Sequence, residues 1–257
     1  MNPQPADGDC RTLLGIDLAV APENSGLAIA GRGPAGGWIL RHAARGRKSP
    51  LLGQILEVLD DDAPLVCLDA PLGWPDTLGR ALAGHRAGTA LEAPPDALFT
   101  RMTDHHIRRR LGKKPLDVGA DRIARTAWAA LRLLEGLREA LGRPLPLLLD
   151  ASGTAAGRVI ETYPAATLRA HSVAARGYKA RAGEPIRRDI ARWLADHLAM
   201  TGAQRDACSR SDHVLDAALC VLAGLDVLHG QAPAPEDPCL AAREGWIWCR
   251  DPDGSGA

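Results

Sequence analysis

Four acidic side chains occupy positions where a protein chain rarely places a charge. Asp17 lies inside the apolar segment GIDLA, Asp69 ends the run PLVCLD, and Glu161 stands in VIETYP. Asp216 lies in SDHVLDAALCVLAG, beside the apolar face of a predicted helix. A buried carboxylate is unfavourable unless it has hydrogen bonds, a cation or a metal ion. Taken singly, Asp17 and Asp69 are explained as well by turn or helix capping as by chemistry.

Taken together, these acids predict a shared catalytic site. Asp69 and Glu161 are each followed closely by proline, which ends a strand and leaves the acid at its carboxyl end. Ligands of open α/β sheets bind at such strand ends. Crowded carboxylates repel one another unless a positive charge lies among them, and Mg²⁺ is the hard ion that prefers oxygen ligands. Two such ions roughly 3.5–4 Å apart would activate a water and stabilise the leaving oxygen of a phosphodiester.

The predicted helix over residues 212–228 brings two further polar groups close to Asp216. Asp212 precedes it by four residues and His213 by three, so all three side chains can share one end of the helix. Ser211-Asp212 is also a good helix start, and capping is the simpler explanation for Asp212 alone.

A basic segment lies between Asp69 and Glu161 in the sequence. Residues 101–114, RMTDHHIRRRLGKK, hold six lysines or arginines against one aspartate. Such a run is most often a solvated face, but it is also suited to follow a phosphate backbone, with Arg108, Arg109 and Lys113 as contacts. Tyr163 and Trp74 each adjoin a strand-end acid and are suited to stack on a base, although covering the core edge explains them equally well.

Hydrophobic patterning predicts the elements that position these residues. Short apolar runs predict strands, amphipathic spacing predicts helices, and a Pro/Gly-rich stretch over residues 70–119 predicts an insertion with short helices. The predicted strands cover residues 12–18, 26–30, 38–43, 64–69, 145–149, 158–162 and 246–249, with a possible hairpin joining 145–149 to 158–162. The predicted helices cover residues 50–59, 121–141, 165–174, 186–200 and 212–228. This order predicts one α/β domain over residues 1–257, with a mixed sheet of three antiparallel and then parallel strands, layered by helices, and a polar tail at 251–257.

Composition limits the classes of function. Lys plus Arg equal Asp plus Glu at 31 each, so any nucleic-acid contact must come from a local basic face. The six cysteines include no pair with the spacing of a zinc knuckle. The amino terminus lacks a basic start and an apolar run, and the apolar stretch at 214–228 is too short to span a bilayer. We therefore expect a cytoplasmic protein without a membrane partner.

The motif series resembles a known family. GIDLA with SGLAIA, then CLDAPLGWP, RMTDHHIRRRLG, VIETYPA and SDHVLDAALCVLAG resemble domain of unknown function 429, a family of predicted nucleases with a ribonuclease H-like fold. The RMTD start adds Arg101 and Asp104 as site-facing residues. More distantly, Asp17, Asp69 and Asp216 resemble the acids of Holliday-junction resolvases, which use magnesium or manganese. The resemblance implies that Asp17 bridges the metals, Asp69 holds one, and Asp216 completes the site with Asp212 or His213.

Two other functions compete with a metal-dependent nuclease. A phosphate-ester or nucleotide-handling enzyme on the same core is disfavoured, because the actin and sugar-kinase group needs two such domains and a different phosphate loop. A binding or regulatory module that keeps the fold without turnover is the other alternative. The near-complete set of acids weighs against it.

Overall fold

A computed structural model describes residues 10–34, 36–119, 121–150 and 153–254 of the chain. Its centre is a five-stranded sheet in the order β3-β2-β1-β4-β5. The strands are β1 (Thr12–Asp17), β2 (Gly26–Arg32), β3 (Trp38–Arg45), β4 (Leu65–Asp69) and β5 (Val159–Glu161). Strands β1, β2 and β3 pair antiparallel, whereas β4 pairs parallel with both β1 and β5. The predicted mixed sheet is thereby confirmed.

Helices cover both faces of the sheet. They are α1 (Leu51–Leu56), α2 (Asp76–Leu82), α3 (Pro95–Phe99), α4 (Met102–Leu111), α5 (Asp121–Leu141), α6 (Pro164–Ala170), α7 (Glu184–Leu194), α8 (Gly202–Arg210), α9 (Asp212–Leu228) and α10 (Pro238–Glu244). One apolar core joins the sheet to α9 and α7, and a second joins its other face to α1 and α5. Among the described helices, none combines the length and apolar character that crossing a membrane requires.

The parallel strands are short and buried on both faces. Leu65, Val66, Cys67 and Leu68 of β4 have no exposed surface, which matches the continuous apolar run in the sequence. Asp69 follows this run as the last residue of the strand. The burial of both faces therefore leaves the carboxyl end of β4 as the place where a charge reaches solvent.

Two glycines let α9 approach the sheet closely. A Cβ atom on Gly15 of β1 would lie 2.2 Å from the carbonyl oxygen of Ala217, and one on Gly26 of β2 would lie 1.8 Å from that of His213. Both distances are far below van der Waals contact, so neither position accommodates a side chain without moving the helix. The start of α9 is thus held directly against the end of β1.

Several predicted elements differ from the structure. Residues 145–149 form only an isolated bridge, Leu147 with Val159, and the bridge is parallel, so the predicted hairpin is wrong. Pro144 and Pro146 lack the amide hydrogens that a longer ladder needs. Residues 246–249 likewise form a single bridge, between Ile247 and Glu161.

Helix predictions fail mainly at helix ends. The predicted helix at 186–200 ends at Leu194, because Ala199 pairs with Ile39 at the edge of the sheet. Helices α8 and α10 were not predicted, since their short segments carry little apolar periodicity. The start of α8 did carry a usable signal, a capping box between Thr201 and Gln204.

A candidate metal site at the carboxyl ends of the strands

The register of β1 and β4 places Asp17 and Asp69 side by side. The two strands run parallel, and Asp17 is the direct partner of Asp69 at their carboxyl ends. Directly paired residues of neighbouring strands project from the same face of the sheet. Both side chains therefore project toward the face that α9 covers.

Asp216 completes a group of three carboxylates. It lies one turn into α9, which Gly15 and Gly26 allow to lie close to β1. One carboxylate oxygen from each of Asp17, Asp69 and Asp216 can be chosen so that the three oxygens lie within 4.8 Å of one another. We call Asp17, Asp69 and Asp216 the carboxylate cluster.

Two members of the cluster are held by neighbouring side chains. His213 Nδ1 lies 2.7 Å from Asp17 Oδ2. Tyr178 donates its hydroxyl hydrogen to Asp216 Oδ1 at 2.9 Å, and Lys179 Nζ lies 2.6 Å from Asp216 Oδ2. Within the described part of the chain, no hydrogen bond reaches the carboxylate of Asp69. Asp69 thus retains oxygen lone pairs for another partner.

Burial and mutual repulsion perturb the titration of the cluster. Burial, followed by the charge of Asp17, raises the pKa of Asp69 well above its ordinary value. Burial also raises the pKa of Asp216 to about 6, although Lys179 opposes the shift. The hydrogen bond to Asp17 raises the pKa of His213. These directions indicate a site short of positive charge.

A cleft of about 610 Å³ opens beside the cluster. Asp17, Asp69, Tyr178 and Lys179 line it, whereas Asp216 is buried behind its two hydrogen-bonding partners, with 1% of its surface exposed. Burial alone would lower the pKa of Lys179, but the charges of Asp216 and Asp69 raise it overall. The ammonium group of Lys179 therefore contributes a positive charge to this cluster.

Glu161 does not join the cluster, contrary to the sequence-based expectation. Its partner across β4 and β5 is Leu68, one residue before Asp69. A one-residue offset turns a side chain to the opposite face of a sheet. There Glu161 accepts hydrogen bonds from Arg101 Nη1 and Nη2, at 3.0 and 2.8 Å, and from the backbone amide of Leu72. Glu161 lines the same cleft from outside the carboxylate cluster, so its catalytic role stays a prediction, and its observed contacts are those of an ion pair.

Arg101 and Asp104, predicted as substrate contacts, are paired with buried groups, and Arg101 lines the cleft whereas Asp104 does not. Each is 1% exposed, and Arg101 binds Asp104 through Nε and Nη2 while binding Glu161. Arg101 Nη1 further donates to the carbonyl oxygen of Glu244 at the end of α10. The negative charges of Glu161 and Asp104 raise the pKa of Arg101, although burial opposes this. We call Arg101, Asp104 and Glu161 the arginine network.

The remaining predicted site residues lie at different places relative to the cleft. Lys113 lines the cleft, whereas Arg108 and Arg109 are exposed near the end of α4 and do not line it. Asp212 is the first residue of α9, one turn before Asp216, and lies outside the carboxylate cluster. His213, which the resemblance offered as an alternative to Asp212, instead contacts Asp17.

Tyr178 and Lys179 are site residues that sequence reasoning missed. They stand in RGYKARAG, between α6 and α7, where no periodicity draws attention. One signal was available: the chain has only two tyrosines, Tyr163 and Tyr178, and both line this cleft.

Comparison with known protein families gives a match to the chain. A family model described as a protein of unknown function (DUF429) matches residues 15–239, which include every member of the carboxylate cluster. No curated protein and no solved structure matches the chain significantly.

Proposed function

The chain belongs to the DUF429 family, and from that premise we propose that it is a metal-dependent phosphodiesterase that hydrolyses nucleic acid. The observation that carries the proposal is the carboxylate cluster, whose acids come from β1, β4 and α9 and whose oxygens approach within 4.8 Å. These positions match those implied by the resemblance to ribonuclease H-like nucleases. We interpret the three helices between β4 and α5 as an insertion into a single domain of that kind.

The donor set suits a hard divalent cation. Carboxylate oxygens are the ligands that Mg²⁺ and Mn²⁺ prefer, and Asp17 and Asp69 both border the cleft. The raised pKa values of Asp69 and Asp216 indicate that added positive charge would stabilise their ionised forms. When bound, the ion would polarise a phosphoryl oxygen and make a water molecule more acidic.

The remaining groups of the site orient these carboxylates and balance their charge. His213 fixes one oxygen of Asp17, and Tyr178 fixes one oxygen of Asp216. Lys179, whose side chain is 51% exposed, neutralises Asp216 and reaches the cleft, where it is placed to attract a phosphate oxygen. We propose that Lys179 takes the place of the second metal ion that the sequence alone suggested, because a second ion at Asp216 would have to displace it.

One observation favours a second candidate, hydrolysis of a small phosphate ester. The cleft is a pocket of about 610 Å³, within the roughly 300–1,000 Å³ typical of small-molecule sites. Both candidates use the same carboxylates. A cytoplasmic location remains part of the proposal, in keeping with six cysteines that are all free.

Hydrolysis assays with Asp69→Asn test the proposal. Bis(p-nitrophenyl) phosphate and single-stranded, duplex and branched DNA and RNA are offered with Mg²⁺ or Mn²⁺. We expect the wild type to cleave at least one substrate and Asp69→Asn to lose at least about hundredfold in rate. Asp189→Asn, which changes a 73% exposed aspartate on α7, is the matched control and should retain full activity. Metal binding without any hydrolysis would favour the binding module instead.

A further inference from the structure

Beyond the carboxylate cluster, the wall of the cleft is mostly apolar. Leu18, Pro115, Leu116, Ile123 and the ring of Tyr163 contribute to it. Leu116 is 70% exposed, an unusual degree for a leucine that borders a charged site. An apolar wall beside a phosphate-binding position is a place for the non-phosphate part of a substrate.

Tyr163 gives this wall an aromatic face. It lies two residues after the end of β5, immediately before α6, and is half-buried. Lys113 Nζ lies 6.0 Å from the centre of its ring, at the outer limit of a cation–π contact. An aromatic ring with aliphatic side chains nearby is the arrangement that holds an unstacked nucleobase.

The positive charges that line the cleft are few. Lys113, Arg176 and Lys179 are the described lysines and arginines that line it besides the buried Arg101, while Arg108 and Arg109 lie outside it. A groove that follows a long duplex needs a row of phosphate contacts, commonly about six to ten. The cleft therefore fits a single phosphate group with its attached base better than a stretch of duplex.

We propose that the cleft binds one unpaired nucleotide, with its phosphate beside Lys179 and the carboxylate cluster and its base against Tyr163 and Leu116. The placement of the phosphate rests on the proposed function, and the base subsite deepens that function by naming the substrate class. A base inside a duplex is hidden in the stack, so a duplex would have to be opened first.

Equilibrium binding of AMP and ribose 5-phosphate tests the base subsite without turnover. The two ligands carry the same phosphate and sugar and differ in the base. With Mg²⁺ present, we expect wild type to bind AMP at least about tenfold more tightly, since stacking supplies the difference. Leu116→Ala should weaken AMP binding several-fold and leave ribose 5-phosphate unchanged.

The variants are chosen so that misfolding cannot imitate the result. Tyr163→Ala should abolish the preference for AMP, but Tyr163 packs against a small apolar cluster that includes Ile107 and Ile247, so the thermal stability of the variant must be measured alongside. Tyr163→Phe keeps the ring and should keep the preference. Trp128→Ala removes a 63% exposed aromatic side chain of α5 that does not line the cleft, and it should behave like wild type.

The outcomes separate this inference from the proposed function. Equal affinity for the two ligands, or binding of neither, overturns the base subsite. An AMP preference that depends on Tyr163, without hydrolysis of any phosphodiester, retains the subsite and overturns the phosphodiesterase. Cleavage of duplex as fast as of single strands, unchanged in Tyr163→Ala, overturns the subsite and retains the phosphodiesterase.

Discussion

Two groups of buried carboxylates lie at the same end of the sheet and differ in how their charge is balanced. In the arginine network, Glu161 and Asp104 share Arg101, which offers two nitrogens to each carboxylate. In the carboxylate cluster, three acids share one ion pair with a half-exposed lysine, one hydrogen bond from the Tyr178 hydroxyl and one contact with a histidine. The two carboxylates of the network share one arginine with complete hydrogen bonding, whereas the three carboxylates of the cluster share one lysine and keep the larger excess of negative charge.

This difference in charge balance favours a structural role for the arginine network and a functional role for the carboxylate cluster. A buried ion pair with complete hydrogen bonding fixes geometry and leaves few free lone pairs for a ligand. In a buried cluster with unbalanced charge, the carboxylates repel one another, and an added cation would reduce that repulsion. Groups with pKa values perturbed in this way are typical of functional sites. Burial and acidity alone do not distinguish the two groups. The number of cationic side chains for each carboxylate does.

The largest expected effect comes from breaking the arginine network. Arg101→Met leaves Glu161 and Asp104 buried without their cation, and we expect a loss of about 3–5 kcal/mol in the free energy of unfolding. Guanidinium denaturation measures it. Arg108→Met, at an exposed position of α4, the helix that Arg101 precedes, should change stability by less than about 0.5 kcal/mol. Equal stability of both variants would refute the structural role of the network.

Removing a charge from the carboxylate cluster, unlike removing Arg101 from the arginine network, should not lower the free energy of unfolding. Asp17→Asn relieves repulsion, so the metal-free protein should be as stable as wild type or more stable. Saturating Mg²⁺ or Mn²⁺ should stabilise wild type, by about 2.7 kcal/mol at one hundred times the dissociation constant, and should not stabilise the variant. Thermal melts with and without metal decide the matter. Equal stabilisation of both proteins would place the ion elsewhere.

A pH dependence sharpens the contrast further. Burial raises the pKa of Asp216 from 3.8 to about 6, so the folded protein holds a proton that the unfolded chain releases. Without metal, the free energy of unfolding should therefore fall as the pH rises from about 4 to about 6, on the order of 2 kcal/mol. Urea denaturation in EDTA measures it.

Asp216→Asn is the control for this slope, because it removes one titrating group and should make the profile shallower, while Asp69, whose pKa is also raised, keeps part of the decline. His213 adds a smaller decline at higher pH, since its raised pKa also favours the protonated form in the folded state. Wild-type stability that rises over the same pH interval would contradict the assignment.

The smallest effect concerns the exposed arginines. The double variant Arg108→Ala and Arg109→Ala should leave stability unchanged within about 0.5 kcal/mol and keep AMP affinity intact. Binding of a longer single strand should weaken only at low salt, because these contacts would be purely electrostatic. Anisotropy titrations across a salt series test this. A loss of AMP affinity would mean that the arginines reach the cleft.

Much of this arrangement was predictable from local sequence. The strands β1 and β4 and the helix α9 carry strong apolar patterns, so Asp17, Asp69 and Asp216 could be placed together. Glu161 could not be excluded, because strand, acid and proline follow one another there as they do around Asp69. Only the strand register, which depends on long-range pairing, turns Glu161 to the other face.

Other residues escaped prediction for different physical reasons. Arg101 looked like part of a solvated basic run, since sequence does not show that two acids 3 and 60 positions away enclose it. Lys179 lies in a loop whose position is set by tertiary contacts rather than by periodicity. Side chains that act through long-range contacts are therefore the part of the site that a single sequence conceals.

The glycines beneath α9 extend the site to residues without functional groups. Because Gly15 and Gly26 set the gap between β1 and α9, a methyl group at either position would push Asp216 away from Asp17. In a complete map of single substitutions, these two glycines should be as intolerant of change as the aspartates themselves. The site is thus maintained partly by two residues whose side chain is a single hydrogen atom.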